Sequence, residues 1–152
     1  MAADSIRSRT SYDALVHVRD YLARDHARLD ALLTIETFEE FRAGLLRHIG
    51  IEEKILFPLI GRDSPLVQQL HRDHAALGVL VVPPPTAQEI AQIRAILDEH
   101  NPLEENPGGL YDLVGDDVME RVRAFPEVPL APHADSPIVR RSIEQLLHAR
   151  RR

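Results

Sequence analysis

The chain contains no cysteine, which excludes disulfides, thiolate metal sites and cysteine nucleophiles. Lysine is nearly absent too, with Lys54 the only one, a bias without an evident mechanism. No apolar run approaches transmembrane length, and the polar start, Met1 to Tyr12, has no apolar signal core. The expectation is therefore a cytoplasmic protein without a membrane partner. Positive charge is not in excess either. The formal net charge is −6 and the pI about 5.7, which argues against a nucleic-acid partner. Basic residues cluster only near the end, at Arg140, Arg141, Arg150, Arg151 and Arg152, as on a solvated helix end. No serine nucleophile arrangement, Gly-rich phosphate loop or zinc-protease motif is present. What remains is a chain of 152 residues, 44% hydrophobic. It reads as a single domain, 1–152, able to bury about two-thirds of its unfolded surface.

The apolar residues repeat with helical spacing. Phe38, Phe41, Leu45, His48, Glu52, Ile55 and Leu59 follow steps of 3 and 4, the seam of an amphipathic helix that faces a core. His48 and Glu52 occupy positions where Leu or Ile would be expected. Similar seams hold His26 (Leu15 to Leu33), His74 (Val67 to Val81), and His100 with Glu104 (from Ile90). A buried carboxylate costs several kcal/mol, on the order given for desolvated ions, unless its charge is compensated. No Lys or Arg lies on these seams to do so. A bound metal would.

Capping signals mark the helices. Ser11 or Asp13 can cap a first helix reaching about Thr34, and Thr37 with Glu40 is a capping box for a second, which runs to about Ile60 before Gly61. Pro58 lies near its end, where it can tighten or kink the last turn. Ser64-Pro65 opens a third, which Pro83-Pro84-Pro85 stops. Thr86 with Glu89 starts a fourth, holding Ile90 to His100. From Asn106 to Pro137 the chain reads as loop with a short helical stretch near Asp116–Ala124, followed by an outer amphipathic helix from Pro137 to about His148. The expected fold is all-α: an antiparallel up-down four-helix bundle over about 12–111, with a Pro/Gly-rich C-terminal extension, 112–152, and a short extra helix.

The chain also repeats itself. Arg24-Asp25-His26-Ala27 recurs as Arg72-Asp73-His74-Ala75, and His48-x-x-x-Glu52-Glu53 as His100-x-x-x-Glu104-Glu105. Two helical hairpins of one kind, paired in a bundle, bring four His and two Glu to a common centre. Imidazole and carboxylate without sulfur suit two ions of iron, and less decisively manganese or zinc. Asp25 and Asp73 are either solvated or orient an imidazole through its second nitrogen. Glu53 and Glu105, about 100° off the seam, read as surface or supporting acids. His17 faces away from the seam, and neither His133 nor His148 belongs to a pattern.

Asp25-His26-x-x-Leu29, His48-Ile-Gly-Ile-Glu52-Glu53-Lys-Ile-Leu56-Phe57-Pro58, Asp73-His74-x-x-Leu77 and His100-Asn101-x-x-Glu104-Glu105 resemble the hemerythrin-like (HHE cation-binding) domains over roughly residues 12–111. The resemblance implies a four-helix bundle holding a non-haem di-iron centre, oxo- or hydroxo-bridged when oxidised. His26, His48, His74 and His100 would be terminal ligands, with Glu52 and Glu104 as bridges. The small ligand implied is O2, NO or peroxide.

Two departures from the family stand out. The oxygen carriers have a further His one turn before the third-helix His, where this chain has Leu70. His71, about 60° round the helix from His74, is the candidate in its place, either on an iron or in support of one. Asn101-Pro102 falls inside the last His/Glu pair, where proline disfavours helix; Asn101 could cap a new helix, so that His100 and Glu104 need not share a face. Leu110-Tyr111 is a displaced remnant of the family's Leu-Tyr-Pro ending, set off by Pro107-Gly108-Gly109. Three functions fit: a di-iron protein that binds or senses a small ligand, a redox enzyme at the same site (peroxide or NO turnover, or ferrous oxidation), or an iron-dependent interaction module whose fourth helix orders on metal loading. The sequence leaves enzyme activity open.

Overall fold

The computed structural model describes residues 17–151. The expected caps Ser11 and Asp13, and Leu15 of the first seam, lie outside the described residues. Among the described residues the chain is all-helical, with no strand.

Four long helices hold the site: α1 (Val18–Leu32), α2 (Phe38–Ile51), α4 (Pro65–Leu80) and α5 (Ala87–Glu105). The short α3 (Phe57–Ile60) continues α2 after a π turn at Glu52–Leu56. Beyond α5 come 3-10 turns at Leu110–Leu113 and Asp116–Val118, then α6 (Met119–Ala124) and α7 (Pro137–Arg150). The caps are only partly those expected. Ser64 accepts from the Val67 N–H and Thr86 from the Glu89 N–H, satisfying helix-start donors. Thr37 does begin α2, but its hydroxyl turns back to the Leu32 carbonyl at 2.7 Å and Glu40 is exposed; no capping box forms there. The start of α1 is capped from afar: Asp116 accepts from the Val18 N–H at 2.9 Å and meets the exposed His17 ring at 2.6 Å.

The expected break at Asn101-Pro102 does not occur. The helix runs from Ala87 to Glu105 with Pro102 inside it. Proline leaves the carbonyl four residues back without its helical partner. Here that carbonyl belongs to Asp98, and Asp98 and Pro102 are both exposed, so water can take the place of the missing donor.

The turn before Pro58 is a π turn, which helical periodicity does not announce. Pro58 cannot donate to the Lys54 carbonyl and its ring would press on it. The preceding turn widens instead, with Phe57 N–H reaching the Glu52 carbonyl five residues back.

Packing divides into two apolar clusters with a polar layer between them. One gathers Leu22, Ile51, Leu56, Leu70 and Leu110; the other gathers Leu29, Leu45, Leu77, Ile93 and Ile96. α1 and α4 pass from the first cluster to the second, α2 passes the other way, and α5 leaves the second cluster for the turn that places Leu110 in the first. The four His and two Glu of the seams fall at the crossing on each helix. The last helix, α7, lies against α4, and Arg140 from it takes the buried Glu89 carboxylate at 2.5 Å.

Candidate metal centre

At the polar layer His26, His48, Glu52, His74, His100 and Glu104 converge, all buried, with Glu52 and Glu104 at 0% exposure. The Nε2 atoms turn inward. His26 Nε2 is 3.0 Å from Glu104 Oε1, and His48 Nε2 is 3.3 Å from Glu52 Oε2. His74 Nε2 is 3.1 Å from Glu52 Oε1, and His100 Nε2 is 3.2 Å from Glu104 Oε2. His100 and Glu104 therefore do share a face, because the helix is unbroken between them. Two groups of four can each hold a metal ion, His26/His48/Glu52/Glu104 and Glu52/His74/His100/Glu104, with donor atoms within 4.8 Å of one another. Both carboxylates belong to both groups.

Each imidazole has a carboxylate behind it. Asp25 Oδ2 lies 2.8 Å from His48 Nδ1, Asp73 Oδ2 2.9 Å from His100 Nδ1, and Glu53 Oε1 3.1 Å from His74 Nδ1. Glu105 Oε2 is 3.1 Å from His26 Nδ1, an ion-pair contact out of line for a hydrogen bond. Asp25 and Asp73 thus take the orienting role rather than the solvated one, and Glu53 and Glu105 support rather than join the inner groups. Such carboxylates fix the ring tautomer and leave Nε2 free for a metal. Arg28 and Arg150 in turn hold Asp25 and Asp73, each at 3.0 Å. Arg150 comes from α7, well outside the repeated motifs, and nothing in its sequence context marks it.

His71 is not brought into the cluster. It is 67% exposed, and its Nδ1 meets Glu53 Oε1 at 2.7 Å. It lies about 60° round the helix from His74, on the side away from the buried Leu70 one turn back, and α4 has no distortion to turn it in. Of the remaining histidines, His133 packs against the Phe38 ring, donates from Nδ1 to the Val82 carbonyl (3.0 Å), and pairs with Glu39.

Tyr111 is the residue that motif spacing does not place. Its hydroxyl donates to Glu52 Oε2 at 2.7 Å and lies 3.3 Å from Glu104 Oε1, 3.2 Å from His26 Nε2 and 3.3 Å from His48 Nε2. The Pro107-Gly108-Gly109 interruption makes this return possible. Gly108 adopts φ 81°, and a Cβ on Gly109 would fall 2.5–2.9 Å from the carbonyl oxygens of Leu103, Asn106 and Glu104. Arg19 ties the turn to α1 through the Glu105 carbonyl and Asp112.

The electrostatics are those of a cage awaiting cations. Burial pushes His100 down, but Glu104 and Asp73 outweigh it and raise it to about 10. Burial likewise opposes the charge on His48, and Glu52 and Asp25 raise it well above the usual imidazole range. Burial pushes Glu52 up, yet His48 and its other partners hold it well below the carboxylate range. Without metal, protons on the rings supply the compensation. Three inward atoms, Glu52 Oε1, His74 Nε2 and Glu104 Oε2, have no hydrogen-bond partner. Buried polar atoms are rarely left so; the two oxygens, from the shared carboxylates, are the ones that face His74 and His100. Nitrogen and oxygen donors aimed at one point without alternative partners fit a borderline cation such as iron.

Beside the cage lies a cavity of about 40 Å³, lined on its apolar side by Leu29, Leu33, Leu45, Leu77 and Leu97. It exceeds the roughly 10–15 Å³ needed for one water. Arg94 and Asp30, paired at 2.6 Å, border it toward the surface.

An all-helical fold with a buried His/carboxylate cage defines a class of cation-binding helical proteins. The hemerythrin HHE cation-binding domain matches residues 11–125, and the chain belongs to that family. Comparison with curated proteins and with solved structures finds no match. Among the described residues no helix is long and apolar enough to cross a membrane.

Proposed function

We propose that the chain is a hemerythrin-like di-iron protein, an antiparallel four-helix bundle with a C-terminal extension, that binds or senses a small ligand such as O2, NO or peroxide. His26 and His48 would hold one iron, His74 and His100 the other, with Glu52 and Glu104 shared between them. The observation that carries this reading is the sharing itself: two groups of donors meet at the same two fully buried carboxylates. Bound iron would supply reversible electron transfer and an exchangeable coordination position.

The chain's own residues set the conditions for that chemistry. Asp25, Glu53, Asp73 and Glu105 orient the imidazoles, and Leu29, Leu45, Leu77 and Leu97 give the adjoining cavity an apolar wall. A space of that size suits a diatomic or peroxide, which favours a small ligand. The unbroken α5 removes the Asn-Pro break on which ordering of the fourth helix by metal had rested, and so weighs against the interaction module.

The test is anaerobic loading with Fe(II), elemental analysis, and absorption spectra as air is admitted. Two irons per chain with near-ultraviolet bands that reverse on oxygen removal support the reading. Irreversible oxidation with turnover of an added reductant would make it an enzyme. One metal or none per chain would refute the shared site.

A further inference from the structure

The two donor groups repeat in sequence, but their surroundings do not. Around His26, His48, Glu52 and Glu104 the Tyr111 hydroxyl stands 2.7–3.3 Å from one donor atom of each. Around the second group no such atom is present among the described residues, and three of its donor atoms lack any hydrogen-bond partner. We propose that Tyr111 binds, through its phenolate oxygen, the iron held by His26 and His48, leaving the open position to the iron held by His74 and His100. This deepens the di-iron reading and rests on it.

An octahedral ion with bonds of about 2.1 Å keeps neighbouring donors about 3.0 Å apart. The hydroxyl's four distances fall about that value, as do the His26–Glu104 and His48–Glu52 pairs at 3.0 and 3.3 Å. A tyrosine serving only as a hydrogen-bond donor needs one short contact, such as that to Glu52. Tyr111's contacts to the two imidazoles and to the second carboxylate are of similar length. The oxygen has the spacing of a fifth donor. Metal binding there exchanges the O–H proton for the ion, and that proton leaves to solvent.

The placement is also built rather than incidental. Tyr111 is 3% exposed beside the fully buried Leu110. Its turn is fixed by the Gly109 close approach and by the hydrogen bond from Gly108 N–H to Asp112 at 2.7 Å. The ring has little freedom to withdraw.

The experiment uses the full chain loaded with two ⁵⁷Fe and oxidised. The expected result is a visible tyrosinate-to-iron charge-transfer band, with resonance-enhanced ring modes that shift when ring-deuterated tyrosine is incorporated. Mössbauer spectra should resolve two doublets of equal area. Tyr111→Phe, still holding two irons, should lose the band entirely. A wild-type protein that holds two irons without the band, or with a single doublet, overturns the proposal; so does a band that survives in Tyr111→Phe. If the substitution prevents folding, the isotope shift in wild type decides alone. Failure to take up two irons would instead refute the di-iron reading itself, and elemental analysis tells the two apart.

Discussion

Asp73 is the chain neighbour of His74, yet its carboxylate serves His100 on the next helix, at 2.9 Å, while its other oxygen takes Arg150 at 3.0 Å. A carboxylate in this position sets the ring's tautomer and its basicity. Asp73→Asn should lower metal affinity by about 10–100-fold, the usual cost of losing such a partner, with helix content retained. Competition against a chelator measures it. An unchanged affinity would mean that the ring is held by packing alone.

The metal-free protein should lose stability as the solution is made alkaline. The folded-state value of His100 is raised to about 10 from 6.5, so its contribution is full below pH 6.5 and fades as pH rises toward 10. The Asp73 carboxyl is lowered below its usual 3.8; burial opposes this, and His100 and Arg150 outweigh it. Its contribution is present above that pH and is lost on acidification. Melting temperatures of chelator-treated protein should therefore be higher at pH 6 than at pH 9.5. A flat or rising profile would show that the rings are neutral in the folded state.

Pro102 should be a local cost rather than a structural need. Replacing it with Ala gives the Asp98 carbonyl a donor and removes the ring from a helix interior. Pro102→Ala should raise stability by about 1–3 kcal/mol, less than the full penalty of a buried interior proline because the face is wet. Chemical denaturation of the two proteins checks the sign. A destabilised variant would show that proline's effect on the unfolded chain dominates.

The cavity makes a separate prediction. Leu97→Phe adds bulk to its wall without touching the cage. Iron content should stay at the wild-type level while the rate of ligand binding falls by an order of magnitude or more. Stopped-flow mixing of the reduced protein with NO reads this directly, and an unaltered rate would place the ligand's route elsewhere.

Much of this arrangement was legible in the sequence because helical spacing is a strong signal. Polar residues recurring on otherwise apolar seams located six converging side chains, and the duplicated Asp-His and Glu-Glu pairs hinted at what stands behind them. The signal weakened wherever a local rule met tertiary context. Pro102 reads as a stop, but burial of His100 and Glu104 on one side and water on the other carry the helix through it. Thr37 reads as one half of a capping box, but the Leu32 carbonyl offers its hydroxyl a nearer partner. Pro58 raised the thought of a kink, and the answer was a widened turn that no periodicity announces. Tyr111 and Arg150 were illegible as site residues, since each arrives by a path that depends on turns and on the docking of α7.

The four supporting acids have a consequence that no single pair displays. Asp25 on α1 reaches to α2, Glu53 just beyond α2 reaches to α4, Asp73 on α4 reaches to α5, and Glu105 on α5 reaches back to α1. The braces form a closed loop with no first or last member. Rotating any one helix about its axis would misalign its own imidazole and the imidazole of the next helix together. Small errors of placement cannot accumulate along such a loop, so the cage can be shaped before its cations arrive.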